Sequence, residues 1–169
     1  MNCPQSLTFG QLRVIISEDR LSLGIEAARQ ADEWLAAAIS ARGAARVILA
    51  SAPSQNELLD ALLGSAIDWS RVTLFHMDEY VGLPADHPAT FRAYQQRQVL
   101  ARIKPAAFLG IRGEAVDSAA ECRRYTALLR EAPIDLVCLG IGENGHLAFN
   151  DPPVADFSDP EWVLSLIHI

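Results

Sequence analysis

The sequence predicts an α/β protein in which helices cover both faces of a mostly parallel sheet, forming a three-layer α/β/α sandwich. Two observations support this prediction. Short β-branched or apolar runs, typical of buried strands, alternate along the chain with longer segments whose apolar residues recur at helical spacing. Strands that alternate with helices in this way pair in parallel. The chain has 169 residues, which is long enough for one well-buried domain.

The first half of the chain contains two predicted strand–helix units. Residues 13–17 (RVIIS) form a β-branched run, and residues 22–42 have the periodicity of a helix that stops at Gly43. Residues 46–50 (RVILA) have the composition of a buried strand. The next predicted helix, 54–63, opens with SQNE, which has the form of a capping box.

The second half continues the alternation. Strands are predicted at residues 71–77, 107–111 and 134–139, and helices at residues 90–103 and 117–130. A polar loop follows the first of these strands, and an aspartate can cap the second helix. Together the elements predict a Rossmann-like sheet within a single domain.

We expect this domain to comprise residues 1–163. Residues 164–169 (LSLIHI) follow no strand–helix pattern and match the translation of a transposon-end sequencing adapter, so we predict that they are an artefact. The alternative is a short terminal strand. His168 therefore receives no functional role.

Composition excludes several classes of protein. Fourteen basic residues against twenty-one acidic ones give a net charge of -7, which argues against nucleic-acid binding. The three cysteines, Cys3, Cys122 and Cys138, form no CxxC pair, so neither a disulfide framework nor a zinc site is expected. No signal sequence and no membrane-spanning run is evident. These features predict a cytoplasmic protein without metal or membrane partner.

Three polar clusters follow predicted strands. They are residues 51–55 (SAPSQ), 76–80 (HMDEY) and 140–151 (GIGENGHLAFND). In open parallel sheets, ligands bind beyond the carboxyl ends of the strands. We therefore expect the three clusters to meet at one edge of the sheet.

Each cluster has a chemical interpretation and a simpler structural one. His146 with Asp151 resembles a general acid–base pair within a glycine-rich loop, or a histidine that caps a helix. Asp78 at a strand end is a candidate base, or a solvated carboxylate. Ser51 and Ser54 at a strand–helix turn could bind phosphate, although Ser54 could be a simple N-cap. Possible charged partners are Arg71, His76 and Arg92.

Together the clusters resemble the glucosamine-6-phosphate deaminase/isomerase family, within the 6-phosphogluconolactonase-like superfamily. The matching stretches are residues 76–91 (HMDEYVGLPADHPATF), 120–125 (AECRRY) and 134–152 (IDLVCLGIGENGHLAFNDP). The similarity extends over about residues 13–160, and the first and third motifs are its specific parts.

The resemblance implies conversion of glucosamine 6-phosphate to fructose 6-phosphate and ammonia, without a cofactor. By similarity, Asp78 moves a proton between C2 and C1, and His146 opens the sugar ring. Ser51 and Ser54 occupy the phosphate loop. The candidate catalytic residues are Asp78, His146, Asn144 and Asp151, and the candidate substrate-binding residues are Ser51, Ser54, Glu79 and Gly145.

The sequence departs from the family pattern at three places. Asn144 stands where an acidic residue is usual, and Asp151 stands where the family has Glu. Ring opening is therefore expected to be slower or to involve Glu143 or Asp151. Ala52 and Pro53 replace glycines of the phosphate loop.

Chain length is a further departure. Family members continue with strand–helix units that supply a basic phosphate ligand, so we expect a C-terminally truncated copy with an incomplete sheet, poor stability and little activity. Two other functions stay open: a 6-phosphogluconolactonase-like hydrolase and a non-catalytic sugar-phosphate sensor. Assembly into a homo-oligomer is also left open.

Overall fold

The computed structural model describes residues 5–152, 155–156 and 158–166. Its helices are α1 (Arg20–Arg42), α2 (Asn56–Leu62), α3 (Phe91–Gln95) and α4 (Ser118–Arg130). Its strands are β1 (Gln5–Phe9), β2 (Leu12–Ile16), β3 (Ala45–Leu49), β4 (Val72–His76), β5 (Ala107–Leu109) and β6 (Leu136–Cys138). Short 3-10 turns at Pro53–Gln55 and Trp69–Arg71 precede α2 and β4, and a π-helical turn, Gln96–Leu100, follows α3.

Four strands form one parallel sheet in the order β5-β4-β3-β6. The central strand β3 pairs with β4 on one side and with β6 on the other, so that Leu49 is opposite both His76 and Cys138. Strand β4 also pairs with β5, with Phe75 opposite Leu109. The predicted parallel sheet is confirmed.

Apolar side chains cover both faces of this sheet. On one face, residues of α1 and α2 such as Leu35 and Leu59 pack with Val47 and Leu74 of the central strands. On the other face, Phe75 packs against two α4 residues, Tyr125 and Leu129. Two cores on opposite faces of one sheet confirm the three-layer α/β/α sandwich.

The first predicted strand has a different partner from the one expected. β2 pairs antiparallel with β1, a strand that no sequence pattern predicted, and this hairpin is separate from the parallel sheet. Its two-residue loop begins at Gly10, whose φ of 60° suits the tight hairpin turns that match strand twist.

Helix ends follow the expected chemistry at three positions. The Asp19 carboxylate accepts a hydrogen bond from the backbone N–H of Ser22 at 2.8 Å, so α1 begins slightly earlier than predicted. Gly43, with a φ of 78°, ends that helix as predicted. The predicted cap at Asp117 is confirmed by its bond to the N–H of Ala120 at 2.8 Å.

The predicted capping box at the start of α2 is wrong. Ser54 lies inside the 3-10 turn and makes no capping hydrogen bond. The carboxylate of Glu57, which would complete such a box, instead binds the guanidinium of Arg20 at 2.7 Å. Glu57 therefore forms a long-range ion pair with Arg20, and its side chain does not make the local capping hydrogen bond.

The chain after β6, which we call the C-terminal segment, contains no helix or strand in its described residues, 139–152, 155–156 and 158–166. Residues 164–166 line a cavity described below, and residues 167–169, with His168, lie outside the described residues. In the part of the chain that the structure describes, no helix combines the length and apolarity needed to cross a membrane.

Helix α1 approaches α2 closely at Gly24. A Cβ atom added there would lie 2.5 Å from the Cβ of Glu57 and 2.7 Å from its carbonyl carbon. Real Cβ atoms do not come so near to backbone, so any side chain at Gly24 must push the two helices apart.

We therefore expect Gly24→Ala to lower the free energy of unfolding by about 1–3 kcal/mol, measured by urea denaturation. The matched control is Gly64→Ala, where the added Cβ would meet its nearest atom, the carbonyl oxygen of Asp60, at 3.5 Å. The control is expected to change stability by less than about 0.5 kcal/mol. An equal decrease in the free energy of unfolding in the two variants would show that the close contact between α1 and α2 at Gly24 does not determine the effect.

Candidate active site

The three polar clusters lie at the carboxyl edge of the sheet, after β3, β4 and β6. The first and third clusters adjoin, because a Cβ on Gly140 would lie 3.8 Å from the Ser54 hydroxyl. Backbone hydrogen bonds also join the strand ends directly. The N–H of Ala50 donates to the carbonyl of Cys138 at 3.0 Å, and the N–H of Met77 donates to the carbonyl of Leu49 at 3.2 Å.

Asp78 lies two residues beyond β4 and lines a cavity of about 820 Å³. Burial, and to a smaller extent the negative charge of neighbouring Glu79, raise the pKa of this carboxyl group to about 6. A carboxyl group with a pKa near neutrality can both take up and return a proton under ordinary conditions, which is the property that a general base needs.

The side chain of Glu79 is fully buried and already has hydrogen-bond donors. Its carboxylate accepts from the backbone N–H groups of Phe91 at 2.8 Å and Arg92 at 2.9 Å, at the start of α3. It thereby stabilises the positive end of that helix and fixes the loop between β4 and α3. No local sequence pattern predicts this contact, because the partners lie twelve and thirteen residues further along the chain.

His146, Asn144 and Asp151 form one hydrogen-bonded group. Nδ1 of His146 lies 2.6 Å from Oδ1 of Asn144 and 3.0 Å from Oδ1 of Asp151. The amide of Asn144 donates to the same carboxylate at 2.7 Å. Both neighbours present acceptor oxygens to Nδ1, so Nδ1 carries the proton and Nε2 is left to exchange protons with a ligand.

The glycines of this loop bring the histidine into place. The carbonyl of His146 accepts from the N–H of Gly142 at 2.9 Å, and a Cβ at Gly142 would lie 2.1 Å from the imidazole. Gly145 has a φ of 86°, as a residue without a side chain allows. Ala148 also has a positive φ, 54°, which is strained for a residue with a Cβ.

An aromatic cluster joins this loop to the loop of Asp78. The rings of Tyr80 and Phe91 have centroids 4.8 Å apart, and the ring of Phe149 stacks on Phe91 at 6.1 Å. Asp151 lines the same cavity as Asp78, whereas His146 is not among the residues that line it. The packing thus places the histidine group next to the cavity that contains the candidate base.

The two serines lie elsewhere on the same edge. The hydroxyl oxygen of Ser51 accepts from the side chain of buried Gln95 at 2.8 Å. Ser54 is exposed and lines a different cavity, of about 410 Å³, bounded by β2, α1 and β6. Neither serine lines the cavity of Asp78 within the described residues, so their role as phosphate ligands stays a prediction.

Three residues were named from the sequence as possible charged partners of a bound phosphate. Two of them form ion pairs with carboxylates, and the third is uncharged. Arg71 pairs with Asp68 at 3.1 Å, and Arg92 pairs with Glu114. Burial, with a contribution from the charge of Arg92, lowers the pKa of His76 to about 3, so this imidazole is uncharged. The described residues contain no cluster of three or more metal-ligating side chains.

The fold and the site together define a class: an α/β protein with a buried carboxylate and a histidine–carboxylate group at the carboxyl edge of a parallel sheet. The sequence model of the family described as Glucosamine-6-phosphate isomerases/6-phosphogluconolactonase matches residues 18–165. The chain belongs to this family.

Known relatives agree with this assignment. The chain is 38% identical over 143 residues to a protein of Lactobacillus delbrueckii subsp. bulgaricus named glucosamine-6-phosphate deaminase, covering 83% of this chain and 58% of that one. A monomeric glucosamine-6-phosphate deaminase of known structure superposes with a TM-score of 0.73 at 28% identity, covering 81% of this chain and 58% of that one. A 6-phosphogluconolactonase from Shewanella baltica shares the fold, with a TM-score of 0.67 at 24% identity over 78% of this chain and 57% of that one. The chain therefore spans a little over half the length of these relatives.

The raised pKa of Asp78 has a consequence for stability. Because the folded-state value lies above the usual one, this group favours the folded state at low pH, and that contribution is lost as pH rises through about 6. We expect Asp78→Asn to raise the free energy of unfolding by on the order of 1–2 kcal/mol at pH 8, and by nothing below about pH 4. Urea unfolding across this range is the measurement, with Asp86→Asn, which removes an exposed carboxylate, as control. A pH-independent difference would contradict the expected burial of the charge.

Proposed function

We propose that the protein of this chain is an amino-sugar-phosphate deaminase/isomerase, which converts glucosamine 6-phosphate and water to fructose 6-phosphate and ammonia. The observation that carries the proposal is the position of Asp78. This carboxyl group, with a pKa near 6, shares a cavity with Asp151, the partner of His146. The names of the relatives support the same reaction.

Ring opening is assigned to His146. Nδ1 is held by Asn144 and Asp151, so Nε2 can accept the proton of the anomeric hydroxyl and return a proton to the ring oxygen. The negative charge of Asp151 stabilises the imidazolium that forms between the two transfers. Asn144 supplies a hydrogen bond to the imidazole but no charge.

Isomerisation is assigned to Asp78. Its carboxylate takes the proton from C2 of the open sugar. The electron pair forms the C1–C2 double bond, and the aldehyde oxygen O1 takes up a proton from solvent, which gives an enolamine. Returning the proton from Asp78 to C1 leaves an iminium at C2, which water hydrolyses to the ketone with release of ammonium. Partial burial keeps the carboxylate weakly solvated and so more basic than usual, which favours proton abstraction from carbon.

Substrate contacts are assigned to Ser51 and Ser54 at the phosphate and to the backbone carbonyl of Gly145 at a sugar hydroxyl, because the N–H of Gly145 already donates to the carbonyl of Gly142 at 2.9 Å. For Glu79, which is engaged by α3, we propose an indirect role through the loop that carries Asp78. A cytoplasmic location, a homo-oligomeric state and an artefactual origin of residues 164–169 stay predictions from the sequence.

The test is ammonia release from glucosamine 6-phosphate, measured on this chain and on the complete product of its gene. Release that falls at least about 10³-fold in Asp78→Asn, but not in Asp86→Asn, is the expected result. Hydrolysis of 6-phosphogluconolactone without ammonia release would replace the proposal with a lactonase. Binding of sugar phosphate without turnover of either substrate would make the protein a sensor.

The pH dependence of the same reaction is a separate prediction. A base must be deprotonated to act, so kcat should rise with pH through an inflection near 6 and then level off. Steady-state rates between pH 4.5 and 8 measure this limb. An inflection near 4 would show that Asp78 behaves as an ordinary exposed carboxylate.

A further inference from the structure

His76 is a fully buried histidine that the proposed reaction does not use. It is the last residue of β4 and is fully buried, and it is one of the residues around the cavity of Asp78. Its imidazole lies beside the rings of Phe108 and Tyr125, with centroids 5.6 and 6.5 Å away. Its backbone is fixed by the Tyr125 hydroxyl, which accepts from the His76 N–H at 3.1 Å and donates to the His76 carbonyl at 2.8 Å.

The hydrogen bond of the imidazole determines its tautomer. Nε2 lies 2.8 Å from the backbone nitrogen of Ile111, which can only donate. Nε2 is therefore the acceptor, and because the ring is neutral, the single proton is on Nδ1. Nδ1 is buried and has no hydrogen-bond partner among the residues that the structure describes.

Stability alone does not explain a histidine in this place. A buried donor without a partner costs free energy, which offsets what the bond from Ile111 contributes. An apolar side chain among the same aromatic rings would avoid the cost of the unpaired donor. The position of the bond between His76 and Ile111 points to a different reason.

Ile111 belongs to a short segment, residues 110–113, which we call the cavity wall because three of its four residues line the cavity of Asp78. Each residue of the wall has its own hydrogen bond. The carbonyl of Gly110 accepts from Arg124 at 2.8 Å, the N–H of Arg112 donates to Glu121 at 2.7 Å, and the carbonyl of Gly113 accepts from the N–H of Gly82 at 2.8 Å.

The first two of these bonds tie the wall to α4, and the third ties it to the loop after Asp78. The bond from Ile111 to His76 ties the wall to strand β4 itself, two residues before Asp78. It lies just where β4 and β5 cease to pair, beyond Phe75 and Leu109.

We propose that His76 is a positioning residue, which holds the cavity wall against β4 and thereby fixes the enclosure of Asp78. The proposal rests on the proposed function in so far as Asp78 is the base, but the position of the wall can be measured without turnover. Its effect on Asp78 is steric. If the wall moves away from β4, water enters beside the carboxyl group.

Several charged groups face the same cavity, so a test of His76 must leave them unchanged. Glu79 adjoins Asp78 on its own loop, Glu121 and Arg112 face it from α4 and the wall, and Asp151 and Glu161 face it from the C-terminal segment. Substitutions at His76 leave all of these groups in place and remove no charge, since the imidazole is neutral.

Three variants separate the hydrogen bond from the shape of the side chain. His76→Gln places an oxygen four bonds from Cα, as far along the side chain as Nε2, and keeps the acceptor for Ile111. His76→Asn has its oxygen one bond nearer to Cα, and His76→Phe keeps the ring but has no acceptor. The readouts are the titration of the Asp78 carboxyl carbon by ¹³C NMR, the hydrogen exchange of the Ile111 amide, and kcat and KM for ammonia release.

We expect His76→Gln to resemble the natural protein. In His76→Phe, exchange of the Ile111 amide should accelerate at least about 10-fold, the Asp78 titration midpoint should fall by about one unit toward its ordinary value, and kcat should fall about 10–100-fold with little change in KM. His76→Asn should behave like His76→Phe. If His76→Phe does not fold, the proposal is tested by comparing the same readouts in His76→Gln and His76→Asn.

The proposal is overturned if folded His76→Phe or His76→Asn leaves the Asp78 midpoint and the Ile111 exchange rate unchanged, or if His76→Gln is as impaired as they are. Absence of ammonia release from the natural protein, together with the expected changes in the titration and exchange, would instead reject the proposed function and leave the role of His76 standing.

Discussion

The position of β3 between β4 and β6 is the constraint on which the site depends. Leu49, the last residue of β3, is opposite the last residues of both neighbouring strands, so all three loops leave the sheet at the same level. Neighbouring strands lie about 4.8 Å apart, which separates the loop of Asp78 from the loop of His146 by roughly 10 Å at its origin. The width of one strand thus leaves space for a small molecule between a carboxylate and an imidazole.

Much of this arrangement could be predicted because its causes are local. Strands β3 and β4 are short apolar runs with both faces buried, and such runs are recognisable without knowledge of their partners. The carboxyl-edge rule then places their following loops together. The polar clusters around Asp78 and His146 could be named for the same reason, since each directly follows a strand.

The features that the sequence did not reveal depend on distant partners. Glu79 reaches the first turn of α3 across a loop, and Glu57 is taken by Arg20, which is 37 residues away, in place of a local cap. Strand β1 is exposed along its length, so it has no burial pattern to identify it. The neutral state of His76 follows from burial between elements that come together only in the folded chain.

Asn144 has a physical rationale in the structure. Its amide accepts a bond from the imidazole through one end and donates to Asp151 through the other, and both neighbours hold it in one orientation. A carboxylate in its place could not donate to Asp151, and two carboxylates at that distance would repel each other unless the imidazole were protonated. Asn144 therefore joins His146 and Asp151 without adding a charge, which holds the three side chains together when the histidine is neutral.

Ala148 gives this loop a further property. Its left-handed backbone costs about 1–2 kcal/mol relative to a right-handed one, so the loop does not adopt its shape from its own preference. The shape is held by two contacts of the residues that follow Ala148: the ring of Phe149 stacks on Phe91, and the carboxylate of Asp151 accepts from Asn144. These contacts offset the strain at Ala148, so the positions of the imidazole and of its carboxylate partner are held by the same set of interactions.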